Sequence, residues 1–465
     1  MDNFSVFQSP FSWRYGSPPM RSIWSEEYKR RLWRRIWIAL AKTESRHGLV
    51  SATQIEELES HADEIDMAKA HAIEEEIRHD LMAELRTFAS QCPEAGGILH
   101  MGATSMDIED NADAIRIRES LLIVRSSLQS LLSALAGKAE RYAELPAMAF
   151  THLQPAEPTT LGYRYACYAQ DIYDTSLRLD ALLAEVRGKG FKGAVGTSAA
   201  YAELIGADNL EAFESVLSRE LGIKFFDAAS QTYPRIQDYR VLSLLAEIAA
   251  IVHKMAFDFR ILQMPPIGEL AEPFGSRQIG SSAMPFKRNP IEAEKIDSLA
   301  RLVSTMPAVA WSNAALSGLE RTLDDSANRR VVLPEAFLAC DEILRAAFRI
   351  VEKQTVDEEA LARNVAAYAP FAATERVLMA MARQGRDRQQ THERLRDLAM
   401  QAWEAVRRGQ PNPLRDLLGR DPFFTSVLEP KEIESLFEVR GYFGAAADRA
   451  RRIAGAIRRY CAVSG

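Results

Sequence analysis

Apolar residues along this 465-residue chain recur at helical spacing in one segment after another, and that rhythm leaves room for little besides helices. Trp33, Ile36, Trp37 and Leu40 fall at i, i+3, i+4, i+7, with Ser25 and Glu26-Glu27 as start signals and Gly48 as the stop. Ser51-Ala-Thr-Gln54 has the form of a capping box, and Ile55 and Leu58 follow as the buried face of a second helix. Val241, Leu244, Ile248, Ile251 and Met255 keep the same period over about four turns. Long helices with few strands predict an all-α bundle, in which sites form between facing helices. The chain shows no internal repeat and no low-complexity run.

The length predicts about two to four domains. Hydrophobic residues at 47% and charged residues at 26% give the balance of a globular protein with a large interior. A net charge of -7 spread over residues of both signs points to neither a nucleic-acid nor an acidic-lipid partner. Cys92, Cys167, Cys340 and Cys461 lie far apart with no CxxC pair, so neither a disulfide framework nor a zinc site is expected, and a reducing, cytoplasmic setting is. Met1 to Pro18 holds Trp13, Arg14 and prolines where an export signal needs an unbroken apolar stretch. Val241 to Phe257 is interrupted by Glu247, His253 and Lys254, so it reads as a buried helix and not as a membrane span.

Two irregular segments, Gly188 to Thr197 and Pro265 to Pro290, read as loops between long helices. A loop of the second length is more often functional than idle. Within it, Gly280-Ser-Ser-Ala-Met-Pro-Phe-Lys-Arg-Asn-Pro290 combines small residues that let backbone approach a ligand with Ser281, Ser282, Lys287, Arg288 and Asn289 as donors for carboxylates. Gly-Ser-Ser alone is only a turn. The whole segment resembles the signature loop of the superfamily of fumarase, aspartase, argininosuccinate lyase and adenylosuccinate lyase.

Further segments narrow the resemblance. Thr151-His-Leu-Gln-Pro-Ala-Glu-Pro-Thr-Thr160 is similar to the T-H-x-Q-P-A-Q stretch of two of those branches, and His100-Met-Gly-Ala-Thr-Ser-Met-Asp107 to the H-x-G-x-T-S segment that grips succinyl carboxylates. Ser12-Trp-Arg-Tyr15, Arg78-His-Asp80, Gln231-Thr-Tyr233 and Glu320-Arg-Thr-Leu-Asp-Asp-Ser-Ala-Asn-Arg-Arg330 resemble the animal-like subgroup of the adenylosuccinate lyase family. The resemblance implies a three-domain, all-α fold divided at 1–104, 105–355 and 356–465, whose long central bundle forms a homotetramer with sites shared between subunits.

It also implies a reaction, loss of fumarate from an N-succinyl purine nucleotide without metal or cofactor. A proton must leave the carbon beside a carboxylate while the departing nitrogen gains one, so a base and an acid are needed. Ser281 matches the family base, which requires a desolvated, positively biased site to favour its alkoxide. His152 matches the acid, since imidazole titrates near working pH, and Glu294 the carboxylate that orients it. Lys287 and Asn289 would stabilise charge on the succinyl carboxylate, and Thr104, Ser105, Thr151 and Gln231 would bind it as neutral donors. Arg14, Tyr15, Arg321, Ser326 and Arg330 would hold the 5′-phosphate, for which the arginine fork is suited. Arg329-Arg330 also reads as a solvated face at a helix end. Arg78, His79, Asp80 and His100 complete the substrate set, although either histidine also reads as a structural hydrogen-bonding group.

Three positions depart from the family pattern. Lys295 replaces an arginine beside the orienting glutamate, so a point charge stands for a two-pronged donor; Ser198 and Glu157 each replace a glutamine. These changes bear on the substrate more than on the reaction, which leaves a lyase for a different N-succinyl adduct as one rival. A catalytically silent structural homologue is the other.

Overall fold

The computed structural model describes residues 5–275 and 277–464, so Met1 to Phe4 of the N-terminal segment and Ser276 of the long loop lie outside the described residues. Helices begin where short polar side chains can accept the free N–H groups of a first turn. Ser25 accepts from the Tyr28 N–H ahead of the helix Glu26–Ser45, and Ser51 and Gln54 form both bonds of the expected capping box ahead of Ala52–Ser60. Trp33, Ile36, Trp37 and Leu40 are all buried, as their spacing predicts. The longest helices are Ser105–Arg141, Leu161–Glu185, Ile236–Leu262, Asp324–Lys353 and Glu358–Arg383. The fold is all-α.

The helix Ile236–Leu262 is buried over much of its circumference, Leu242, Leu245, Ala249 and Val252 joining the predicted Val241, Leu244, Ile248 and Met255, while Ile251 is half-buried. Ser105–Arg141 is also long and apolar enough to cross a membrane by length and composition. Its Leu121, Val124, Leu128, Leu131, Leu132 and Leu135 are packed inside protein, which accounts for that apolarity.

Strands are few. Pro146–Thr151 (β1) and Gln154–Thr160 (β2) form an antiparallel hairpin with a bulge between Met148 and Phe150, and Leu270–Ala271 pairs with Thr355–Val356. The hairpin falls on the Thr151-His-Leu-Gln segment, where Pro155 and Pro158 mask any strand pattern.

The chain divides into two compact units. The first contains Met1–Leu128, Thr175–Val252 and Ser298–Arg345; the second contains Gln129–Asp174, His253–Asp297 and Ala346–Gly465. Each passage of the chain from one to the other falls within a helix. In the second unit, Val377, Met381, Leu395, Leu398, Leu414 and Phe424 belong to one buried cluster near the C-terminal end.

Candidate active site

In the second unit, the two-residue turn joining β1 to β2 is His152-Leu153, with φ of 53° and 58°. Positive φ at both positions is the pattern of a type I′ turn, normally filled by Asn or Gly. Side chains with a Cβ are strained there, and such strain concentrates at functional sites. His152 is exposed at the tip, between exposed Thr151 and Leu153.

The 280–290 loop of the same unit is closed by its own polar groups. The Asn289 amide donates to the Gly280 carbonyl at 2.9 Å, and Lys287 N–H to Met284 O at 3.1 Å. Gly280 is required at this closure, because a Cβ would stand 2.2 Å from the Lys287 carbonyl oxygen. Ser281 Oγ accepts the N–H groups of Ala283 at 3.4 Å and Met284 at 3.1 Å. Those two donors favour the charged form of the hydroxyl, which supplies part of the bias a serine base needs. Gln263 donates to the Arg288 carbonyl and accepts from the Glu272 N–H; Glu272 in turn accepts the N–H groups of Glu292 and Ala293 at the start of the helix Ile291–Val303.

On that helix Glu294 is exposed and pairs with Arg260 at 3.6 Å, and Arg260 also holds Asp297 at 2.7 Å. The Lys295 ammonium lies against Glu292 of its own helix at 3.0 Å. Lys287 is exposed.

The remaining predicted residues belong to the first unit. Arg78 ends the helix Met67–Ile77 in the left-handed conformation, with φ 58°, and His79 caps the next helix, Asp80–Gln91, by accepting the Met82 N–H. His79 Nε2 lies 3.3 Å from Ser105 Oγ, joining two predicted segments. His100, also at positive φ, accepts Trp37 Nε1–H on Nδ1 at 3.1 Å. Burial pushes the His100 imidazole below its ordinary pKa and the neighbouring His79 adds to this, while Asp107 opposes it. His100 is therefore a neutral acceptor. Gln231 donates its backbone N–H to Glu320 O, which joins its segment to the start of the arginine-rich one.

Asp80, Arg321, Ser326 and Arg330 line one recess that is open to solvent. Arg330 pairs with Asp80 at 2.8 Å, and Arg321 with Asp325 at 2.8 Å. Arg14 is exposed and lies 5.7 Å from the Trp13 ring centroid and 5.8 Å from that of Tyr15. Gly16, at φ 81°, lets this segment approach the helix Asp324–Lys353, for a Cβ there would meet Leu338 at 2.6 Å.

Three groups escape the sequence reading. Arg329 is buried and not part of a solvated face: it pairs with Asp238 at 2.7 Å and Asp113 at 3.2 Å and donates to the Tyr233 hydroxyl. Burial opposes the charge on Asp113, yet the Arg329 and Arg116 guanidiniums outweigh it and hold that carboxyl below its usual range. Arg235 bridges Asp110 and Asp325, and so fixes the carboxylate that holds Arg321. The i, i+4 spacing of Arg321 and Asp325 is the one signal the sequence carries for this set.

The third group centres on Asp107, fully buried at the start of Ser105–Arg141. Its carboxylate accepts from Thr104 N–H at 3.0 Å, Lys189 Nζ at 2.5 Å, the N–H groups of Lys192 and Gly193, and the Tyr201 hydroxyl. Asn111, one turn on, exchanges two hydrogen bonds with Gly190. The glycine-rich loop is thus fastened to the segment carrying Thr104 and Ser105.

Comparison with known proteins places the chain among enzymes of the lyase class. The family model described as "Lyase" matches residues 14–304, and that described as "Adenylosuccinate lyase C-terminus" matches residues 370–453. The chain is 38% identical over 460 residues to the adenylosuccinate lyase of Saccharomyces cerevisiae, covering 97% of this chain and 95% of that protein. It is 39% identical over 434 residues to that of Schistosoma mansoni, covering 92% and 90%. Among solved structures, the 3-carboxy-cis,cis-muconate lactonizing enzyme of Pseudomonas putida superposes with a TM-score of 0.85 at 24% identity, over 97% of this chain and 99% of that one. The chain belongs to the adenylosuccinate lyase family.

Proposed function

We propose that this chain removes fumarate from adenylosuccinate to give AMP, and acts likewise on the succinyl-aminoimidazole-carboxamide ribotide, in cytoplasmic purine nucleotide biosynthesis. The observation that carries the reading is the convergence of Arg321, Ser326 and Arg330 with Asp80, from segments far apart in sequence, on one recess suited to a nucleotide phosphate. Ser281 takes the proton from the succinyl carbon beside a carboxylate, the carbon–nitrogen bond breaks, and the imidazolium of His152 gives its proton to the departing nitrogen. Charge gathered on the carboxylate is met by Lys287 and by the neutral donors Thr104, Ser105, Thr151 and Gln231. Asn289 keeps the loop closed around Ser281.

His152 at the tip of a hairpin and Glu294 on an exposed helix face suit a site completed by neighbouring subunits of a homotetramer, in which Glu294 orients an incoming imidazole. Ultraviolet monitoring of adenylosuccinate with the purified protein tests the proposal: AMP and fumarate are expected in equal amounts. Absence of turnover would instead favour a catalytically silent homologue. The Lys295 ammonium, drawn onto Glu292, gives some support to a second reading, elimination from another N-succinyl adduct. Indifference of the enzyme to AMP as a competitor would favour it.

A further inference from the structure

Among the described residues, one carboxyl group in the arginine-lined recess makes no hydrogen bond or ion pair. Lys29 pairs with Glu26 at 2.7 Å, Arg116 with Asp113 at 3.2 Å and Arg330 with Asp80 at 2.8 Å. That group is Glu109, which lines the same recess. From the helix Asp80–Gln91 it faces Asp80, and along its own helix Asp110 and Asp113. From Asp324–Lys353 it faces Arg330, whose guanidinium is already held by Asp80. Glu26 and Lys29, on the helix Glu26–Ser45, satisfy each other. Burial first, then the charges of Asp80 and Asp113, push the Glu109 carboxyl up to about 8.

A phosphate monoester loses its second proton near about pH 6. Between that pH and about 8 the recess therefore offers a dianion the guanidiniums of Arg321 and Arg330 together with a neutral O–H donor. An ionised carboxylate at the same point would repel it. We propose that Glu109, as the neutral acid, donates a hydrogen bond to the phosphoryl group of the bound nucleotide, so that the site takes the dianion together with one proton kept on the protein. No covalent bond changes; where Glu109 is ionised in the free enzyme, the proton comes from solvent. This rests on the phosphate-site reading given above.

Calorimetric titration of the whole enzyme with AMP, and with inorganic phosphate as a second probe, tests the assignment across about pH 6.5 to 9.5. Above about pH 8, AMP affinity of the unaltered enzyme is expected to fall roughly tenfold per pH unit. Glu109→Gln should flatten that profile. Titrations near pH 8.5 in two buffers of different ionisation enthalpy need no variant and should report uptake approaching one proton per AMP. A flat profile in the unaltered enzyme, zero uptake, or an unchanged slope in Glu109→Gln overturns the role of Glu109. Arg330→Ala separates the two claims. If it weakens AMP at every pH while the slope persists in Glu109→Gln, only the Glu109 assignment falls; if it leaves AMP affinity untouched, or if AMP does not bind at all, the phosphate site falls and Glu109 with it.

Discussion

A hydroxyl that accepts two backbone N–H groups, as Ser281 does from Ala283 and Met284, gives up its proton more readily than one in water. Ser281→Ala should therefore lower kcat by about a thousandfold while AMP affinity, read by calorimetry, stays near its original value. Near-normal turnover would remove Ser281 from the reaction. Glu44 gives a second expectation at this scale. It is buried, one of its carboxyl oxygens has no hydrogen-bond partner, and burial pushes the group up to about 8. The folded chain keeps the proton that the unfolded chain releases from about pH 4.5 upward, so stability should fall as pH rises from there to about 8 and then level off. The slope is at most about 1.4 kcal/mol per pH unit. Glu44→Gln keeps the shape of the protonated acid and should remove that decline, leaving the variant more stable than the parent at about pH 8 by urea unfolding. Ser281 was legible as a candidate because a run of eleven residues surrounds it with a recognisable pattern. Glu44 and Glu109 were not, since a glutamate on a helix looks the same in sequence whether it meets water or other carboxylates.

At the level of elements, caps and periodicity carried most of the helices, and the Ser51–Gln54 box formed as its spacing required. The β1–β2 hairpin was hidden for physical reasons. Its turn uses His152 and Leu153 where glycine or asparagine would have marked it, and its second strand holds two prolines. Backbone strain of this kind suppresses the local signal that would reveal it. The loop from Gly280 to Pro290 was legible as a loop, but its closure through Asn289 was not. Gly280→Ala places a Cβ against the Lys287 carbonyl, so the loop must open. Turnover should drop by about a hundredfold or more, whereas the thermal midpoint should move little because the segment is largely exposed. A large fall in thermal stability would show that the closure supports the fold as well.

For the whole molecule, local patterns identify helices but not how distant stretches of chain assemble. The expected division at 104/105 and 355/356 follows the order of the chain, while the two compact units each draw on three separated stretches. Likewise Arg235 and Arg329 gain their roles only when Asp110, Asp238 and Asp325 arrive from other segments. Buried guanidiniums become visible once those carboxylates surround them. The proposed sharing of sites has a direct outcome. His152→Ala and Ser281→Ala enzymes should each be inactive, yet a mixture dissociated and reassembled in equal amounts should regain about a quarter of the parental activity, because each site draws the two groups from different subunits. No recovery, with mixed tetramers demonstrated by mass spectrometry, would place both groups on the same subunit.

The carboxylate of Asp107 also bears on how this enzyme can be re-engineered. Ammonium, amide and phenol groups from residues 189 to 201 all terminate on that single acid. A graft that imports the glycine-rich loop from a relative lacking this aspartate would strand a buried lysine, and importing the helix start alone would strand the acid. Residues 100–111 and 188–201 therefore behave as one transplantable cassette, and chimeras that keep the two halves together should fold where those that separate them do not.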